Sequence, residues 1–310
     1  MWFHDAVHEK GPTMLRALIL FLLLPAASLA QLEGVIDVHV HCAPDSGPRS
    51  IDAFDVARLA RRNGMRALLF KNHYVPTASL AYLVHQAVPG IEVYGGIALN
   101  RSVGGINPQA VEHMARTTGL LGRVVWMPTF DSEHYHRTLK PNPNFVPIAR
   151  DGKLLPEVDE VLAIIARENL ALATGHSAPA ESMLLIRAAR QKGIARIILT
   201  HPLSKEVGMS VEMQKEAAGL GAFLEYPFNA TLPPSPAWGG GSSSMEAYVK
   251  AIREIGPEHC ILSSDLGQPL NPVHTDGLIG FFDQLKAKGF TQAEIDIMAK
   301  RNPARLLGLD

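Results

Sequence analysis

A chain of 310 residues, 47% apolar and 19% charged, can bury a large core, and its length suits one barrel or two small domains. With 29 Lys and Arg against 30 Asp and Glu, no basic field is available to hold nucleic acid or an anionic membrane surface, so the expected partner is a small molecule. The 13 His are many, but their count assigns no role and only their positions can.

In chain order the first pattern starts at Met14, where M-L-R-A-L-I-L-F-L-L-L-P-A-A-S-L-A-Q joins a positive residue to an apolar run and a small-x-small ending at Ser28 and Ala30. It predicts a signal peptide within residues 1–30, cleaved after Ala30, and export to the periplasm or beyond the cell. The run through Leu24 is short for a bilayer and is broken by Pro25, which makes a permanent span the weaker reading and leaves no stable membrane insertion after cleavage. A buried N-terminal helix is the bland alternative. Residues 1–13 carry charges, and Met14 is a second candidate start. Residues 31–310 read as a single domain; assembly into a homo-oligomer stays open.

After Ala30, apolar runs over 34–41, 67–73, 92–99, 123–128, 171–176, 196–201, 222–226 and 260–265 alternate with helical patterns. Those patterns cover 51–62, 79–86, 108–117, 158–167, 180–191, 211–218, 245–255 and 277–288, and a last segment opens on the capping-box pair Thr291 and Glu294. Parallel neighbours need a crossover, and eight such repeats favour an α/β fold closed into a (β/α)8 TIM barrel. An open doubly wound sheet would more often carry a Gly-rich fingerprint after its first strand, where this chain has a His pair and Cys42-Ala43-Pro44-Asp45. The longer connections, 130–156 and 227–244, follow strands and belong on the C-terminal face, where barrel enzymes keep substrate loops. Cys42 ends one strand and Cys260 opens another, so they sit at opposite ends of the barrel and a disulfide is not expected.

Residues i and i+2 of a strand share a face, so His39 and His41 should project together into the barrel mouth. His-x-His alone is weak evidence. Three other apolar runs, however, end in a metal-ligand type at His176, His201 and Asp265. Burying such a set without a cation or a full hydrogen-bond network is costly, and a borderline divalent ion such as zinc accepts nitrogen and oxygen ligands together. A metal-free polar network is the alternative.

The run Ile36-Asp37-Val38-His39-Val40-His41, the His ending strands five and six, the Asp ending strand eight and the closing Asn302-Pro303-Ala304-Arg305-Leu306-Leu307-Gly308-Leu309 resemble the amidohydrolase superfamily over nearly all of 31–310. The resemblance implies a site for one or two divalent metals at the C-terminal face, with His39, His41 and Asp265 on the first ion and His176 and His201 on a second or beside the water. It also implies a phosphotriesterase- or amidohydrolase-related hydrolase. Members with two metals usually bridge them by a carboxylated Lys or a Glu from strand four, yet Val124-Val125-Trp126-Met127-Pro128 offers neither. Lys71, sharing a face with His73 after strand two, is either a carbamylated bridge or an ammonium that binds substrate or a carboxylate. Glu133 is a poorer substitute, because a loop fixes a ligand loosely. No Glu stands three residues after His176, which disfavours the deaminase branch.

The function that follows is hydrolysis of an amide, lactone or ester, with a phosphoester also open, by metal-activated water and Asp265 as base. His73, Tyr74 and Arg101, at or just past strand ends, are candidates to bind substrate. The rivals are a metal-dependent decarboxylase or other lyase, favoured by the empty fourth strand, and an exported metal- or ligand-binding protein without turnover.

Overall fold

The computed structural model describes residues 32–236, 238 and 240–310, and the leader expected over 1–30 lies outside them. Eight parallel strands pair in chain order: β1 (Ile36–Val40), β2 (Ala67–Phe70), β3 (Glu92–Ala98), β4 (Gly122–Trp126), β5 (Ala171–Ala173), β6 (Ile197–Leu199), β7 (Phe223–Pro227) and β8 (Cys260–Ser263). The crossovers run through α1 (Ala53–Arg62), α2 (Ala78–Ala87), α3 (Pro108–Ala115), α4 (Pro156–Arg167), α5 (Pro179–Gln191), α6 (Val211–Gly219) and α7 (Met245–Ile255), and α8 (His274–Ala287) follows the last strand. First and last strands meet through main-chain hydrogen bonds from His41 N to Leu266 O (3.0 Å) and from Asp265 N to His39 O (2.9 Å). The chain thus forms a (β/α)8 barrel, as its patterning predicts.

Helix boundaries follow from local chemistry. Asp52 caps α1 by accepting from Phe54 N and Asp55 N, and Ser210 and Ser244 do the same for α6 and α7. The buried positions of α1, Ala53, Val56, Ala57 and Ala60, recur at helical spacing and face the sheet. Inside the barrel, Ile36, Val38, Leu69, Val124, Trp126, Ile198 and Ile261 form one apolar layer. Ala304, Leu306 and Leu307 of the terminal helix (Asn302–Leu307) join it from the N-terminal end, while Asn302 Nδ2 donates to Cys260 O at 2.7 Å. The closing Asn-Pro-Ala-Arg segment is therefore the barrel's plug. Its lead-in helix (Gln292–Asp296) starts on the expected Thr291–Glu294 capping box.

Above this layer the interior turns polar. On β1 the change of face requires an irregularity: Ile36 and Val38 point into the core, yet His39 and His41 point into the mouth, and the β1–β2 register shifts between Asp37 and Val40. Loop 130–156 carries a short helix (Glu133–Thr138) and a two-stranded ribbon (Ala149–Arg150 with Lys153–Leu154) that periodicity did not announce. Cys42 and Cys260 are both buried and free.

Candidate metal centre

His39 and His41 leave the end of β1, and Asp265 lies two residues beyond β8, across the barrel seam. Asp265 Oδ1 stands 3.0 Å from His39 Nε2 and 3.1 Å from His41 Nε2, and one donor atom from each of the three residues lies within 4.8 Å of the others. His201 stacks 6.1 Å from His39, and His176 lies 5.0 Å from His201, measured between ring centres. The structure therefore gathers all five residues at one mouth.

Local backbone geometry aims the later candidate ligands. Gly175 holds φ at +62°, and a Cβ there would stand 2.3 Å from Met127 O, so only glycine lets the chain turn as it delivers His176. His201 and Asp265 adopt positive φ themselves, +25° and +49°. A His or Asp in that region is strained, and such strain clusters where a side chain must be aimed for function.

Burial dominates the electrostatics. It holds the imidazoles of His41 and His176 well below their ordinary range, aided by Arg49 at His41 and by His201 and Lys71 at His176, and it lowers His201 to about 4. Neutral imidazoles keep the lone pairs that ligands need, and Nδ1 of both His176 and His201 is buried without a protein partner. Burial pushes the Asp265 carboxyl up, but electrostatic interaction with the His39 ring, the His41 hydrogen bond and the nearby His41 and His201 rings outweigh it and hold Asp265 well below the usual carboxylate range. Neutral nitrogens around a buried anion are a donor set that fits a borderline divalent cation.

Sequence reasoning missed Glu225. It points inward from the middle of β7, where Oε1 sits 2.7 Å from His39 Nδ1 and accepts from Ser263 Oγ at 2.8 Å, and Oε2 accepts from His201 N at 3.3 Å. A carboxylate on the far nitrogen of a ligating His fixes its tautomer and orientation. The signal was present, since Glu225 is the charged residue inside an otherwise apolar run. Asp37 is a second such group: its Oδ1 accepts from His39 N and Ser264 N, and burial raises its carboxyl to about 6. Asn229 Nδ2 donates to Asp265 Oδ2 at 3.2 Å.

Lys71 immediately follows β2, with Nζ 3.0 Å from His39 Nε2, and burial lowers its amine to about 8. His73 stacks on His41 at 4.9 Å, bonds Thr129 Oγ1 through Nδ1 and lines the same cavity, which also takes in Lys71, His176, His201 and Asp265. Tyr74 is half-buried in an adjoining outer cleft beside Phe130 and Trp238, residues that also line the inner cavity. Arg101 is not brought to this mouth; it is exposed over a separate groove with Phe145 and Leu155. Glu133 pairs with Arg137 at 2.6 Å and faces another outer groove.

A family profile described as a family of unknown function (DUF6282) matches residues 34–225. No curated protein matches the chain. Among solved structures the barrel is similar to an amidohydrolase from Pseudomonas aeruginosa, at 14% identity over 91% of this chain and 98% of that one, with a TM-score of 0.63. The probable dipeptidase PvdM from the same organism gives 12% identity, 93% and 98% coverage and a TM-score of 0.64. A mutant PTE-like lactonase from Deinococcus radiodurans gives 16%, 90% and 97%, and 0.59. At such identities the likeness is one of fold.

Proposed function

This chain belongs to the DUF6282 family, and we propose that it is a metal-dependent hydrolase of the amidohydrolase type that cleaves an amide, lactone or ester bond of a small molecule. The observation that carries this reading is the convergence of His39, His41 and Asp265 donor atoms within 4.8 Å at the C-terminal mouth of the barrel. His176 and His201, with their unpartnered ring nitrogens, complete a set able to hold one ion or two, zinc above all. A divalent cation bound there supplies Lewis acidity, polarising the scissile carbonyl and acidifying water.

The chain's own residues do the rest. Asp265 accepts the proton of the attacking water and returns it to the leaving group, while Asn229 occupies its second oxygen and fixes the carboxylate plane. Glu225 keeps His39 turned toward the mouth. Lys71, buried and depressed to about 8, has a neutral amine within reach of neutral pH, the form that would add carbon dioxide, with loss of a proton, to give a carbamate able to serve as an anionic metal ligand. Phe130 and Trp238 wall the cavity and limit the water that enters.

The strand-four end, Trp126 followed by Met127, presents no carboxylate, and this favours a single-ion lyase as the second reading. Protein stripped by a chelator and reloaded with zinc or manganese separates them on a panel of amides, lactones, esters and carboxylic acids. Metal-restored hydrolysis is expected. Metal-restored release of carbon dioxide would establish the lyase, and a chain that neither binds metal nor gains melting temperature with it would defeat both.

A further inference from the structure

The loop between β1 and α1 puts a second charged device against the same cavity. Arg49 and Asp45 are each only 1% exposed in their side chains. Asp45 uses one oxygen, Oδ2, to accept from Arg49 Nε at 2.8 Å, with Nη2 at 2.7 Å, and spends its other oxygen on Ser46 N at 2.6 Å. One edge of the guanidinium is thereby fixed, and Nη1 is left buried with no protein partner. Trp238 covers the face of the group, with the guanidinium carbon 3.7 Å from the ring centre, and its own Nε1 donates to Pro48 O at 2.9 Å. Gly47 makes room for that ring, since a Cβ there would stand 2.4 Å from Trp238 Cζ2.

This is an elaborate way to hold an arginine whose Nη1 meets no protein acceptor. A buried charged donor without an acceptor is expensive, so a lasting arrangement of this kind calls for an acceptor from outside the chain. Arg49 lines the cavity beside His41, and its Nη2 lies 3.4 Å from His41 Nδ1. When His41 directs Nε2 to a metal, Nδ1 carries the ring proton and cannot accept from Arg49, which frees Nη2 as well. Two parallel N–H donors on a planar fork match a carboxylate.

We propose that Arg49 binds a carboxylate of the substrate, so that, on the hydrolase reading above, the substrate is a small amide or lactone bearing a free carboxylate. The His41 ring links the guanidinium to Asp265, with Nδ1 3.4 Å from Arg49 Nη2 and Nε2 3.1 Å from Asp265 Oδ1. The carboxylate therefore sits a few bonds from the carbonyl that is attacked, as in an N-acyl α-amino acid or a lactone carboxylic acid. Asp45 and Trp238 are positioning residues: they orient the fork without touching the substrate.

The test pairs N-acetylglycine and N-acetylphenylalanine with their carboxamides and titrates each calorimetrically into wild type, Arg49→Gln and Arg49→Lys. Each protein is used metal-free and zinc-loaded. Wild type is expected to bind the carboxylates at least about tenfold more tightly than the carboxamides in both forms, the scale of one charge-assisted hydrogen-bonded pair. Arg49→Gln should lose that preference and Arg49→Lys should keep only part of it, while circular dichroism and zinc content show the barrel and metal site intact. If either substitution collapses the fold, wild type alone still decides through the acid–amide difference. Equal binding of acid and amide, no binding of the acids, or a preference that survives in a folded Arg49→Gln protein overturns the assignment. Carboxylate selectivity without zinc-dependent turnover leaves Arg49 in its role and removes the hydrolase reading, whereas zinc-dependent hydrolysis indifferent to the carboxylate does the reverse.

Discussion

On the proposed mechanism Asp265 has two duties, ligand and base, that one substitution can part. Asp265→Asn keeps an oxygen for a cation but deletes the proton acceptor, so turnover should vanish while most of the metal remains, as kinetics beside metal content will show. Near wild-type turnover in a metal-replete variant would take the base role away from Asp265. Glu225 holds His39 Nδ1 and Ser263 Oγ at once. Glu225→Gln should weaken zinc affinity about 10–100-fold, read by competition with a chromophoric chelator, the usual cost of removing the carboxylate behind a ligating His. Unchanged affinity would reduce Glu225 to a packing role. Lys71, with Nζ among the ligands, separates one ion from two. Lys71→Ala should lose a second equivalent of metal and most activity, and bicarbonate with a short carboxylic acid should restore part of both. An unmodified amine beside a single ion, in crystals grown with bicarbonate and excess metal, would end the bridge.

The elements were legible where burial is periodic and obscure where it is broken. Each apolar run became a strand and each amphipathic pattern a helix, with ends shifted by a few residues, because strand and helix spacing impose incompatible patterns on the same residues. The five ligand types were legible as strand-end residues, whereas the β1 register shift that re-aims His39 and His41 was not. Alternation alone would have put Ile36, Val38 and the His pair on opposite faces, and only tertiary pairing with β2 resolves this. Glu225 was passed over because one charge inside an apolar strand resembles an exception to the pattern, and its partners come from β1 and β8. Arg49 was invisible for a similar reason, since its meaning depends on Trp238, far along the chain. At the first turn of α8, burial lowers the ring of His274 to about 4, and its Nε2 donates to Leu266 O at 2.8 Å. The unfolded chain takes up that proton near 6.5, so this contribution to stability is whole above pH 6.5 and is lost as pH falls toward 4. Urea unfolding of metal-free protein should thus weaken over that window by ~3 kcal/mol more in wild type than in His274→Gln. Parallel pH profiles would show that His274 is not held neutral by the fold.

At the scale of the whole molecule the barrel separates stability from chemistry. The terminal helix plugs one end with Leu306 and Leu307, and the candidate metal ligands, the inner cavity and the outer cleft share the other. Among the described residues no helix is long and apolar enough to cross a membrane. The leader reading is checked by N-terminal sequencing of protein taken from the native cell envelope: the mature chain should begin near Gln31, and a product that keeps residues 14–30 would refute cleavage. The seam has a consequence for the order of assembly. His39 and His41 emerge early from the ribosome and Asp265 late, and the hydrogen bonds that join them also join the first strand to the last. A nascent chain without β8 holds only part of the site, so on the proposed reading tight ion capture would wait for ring closure and would then act as a clasp on the pairing of the first strand with the last.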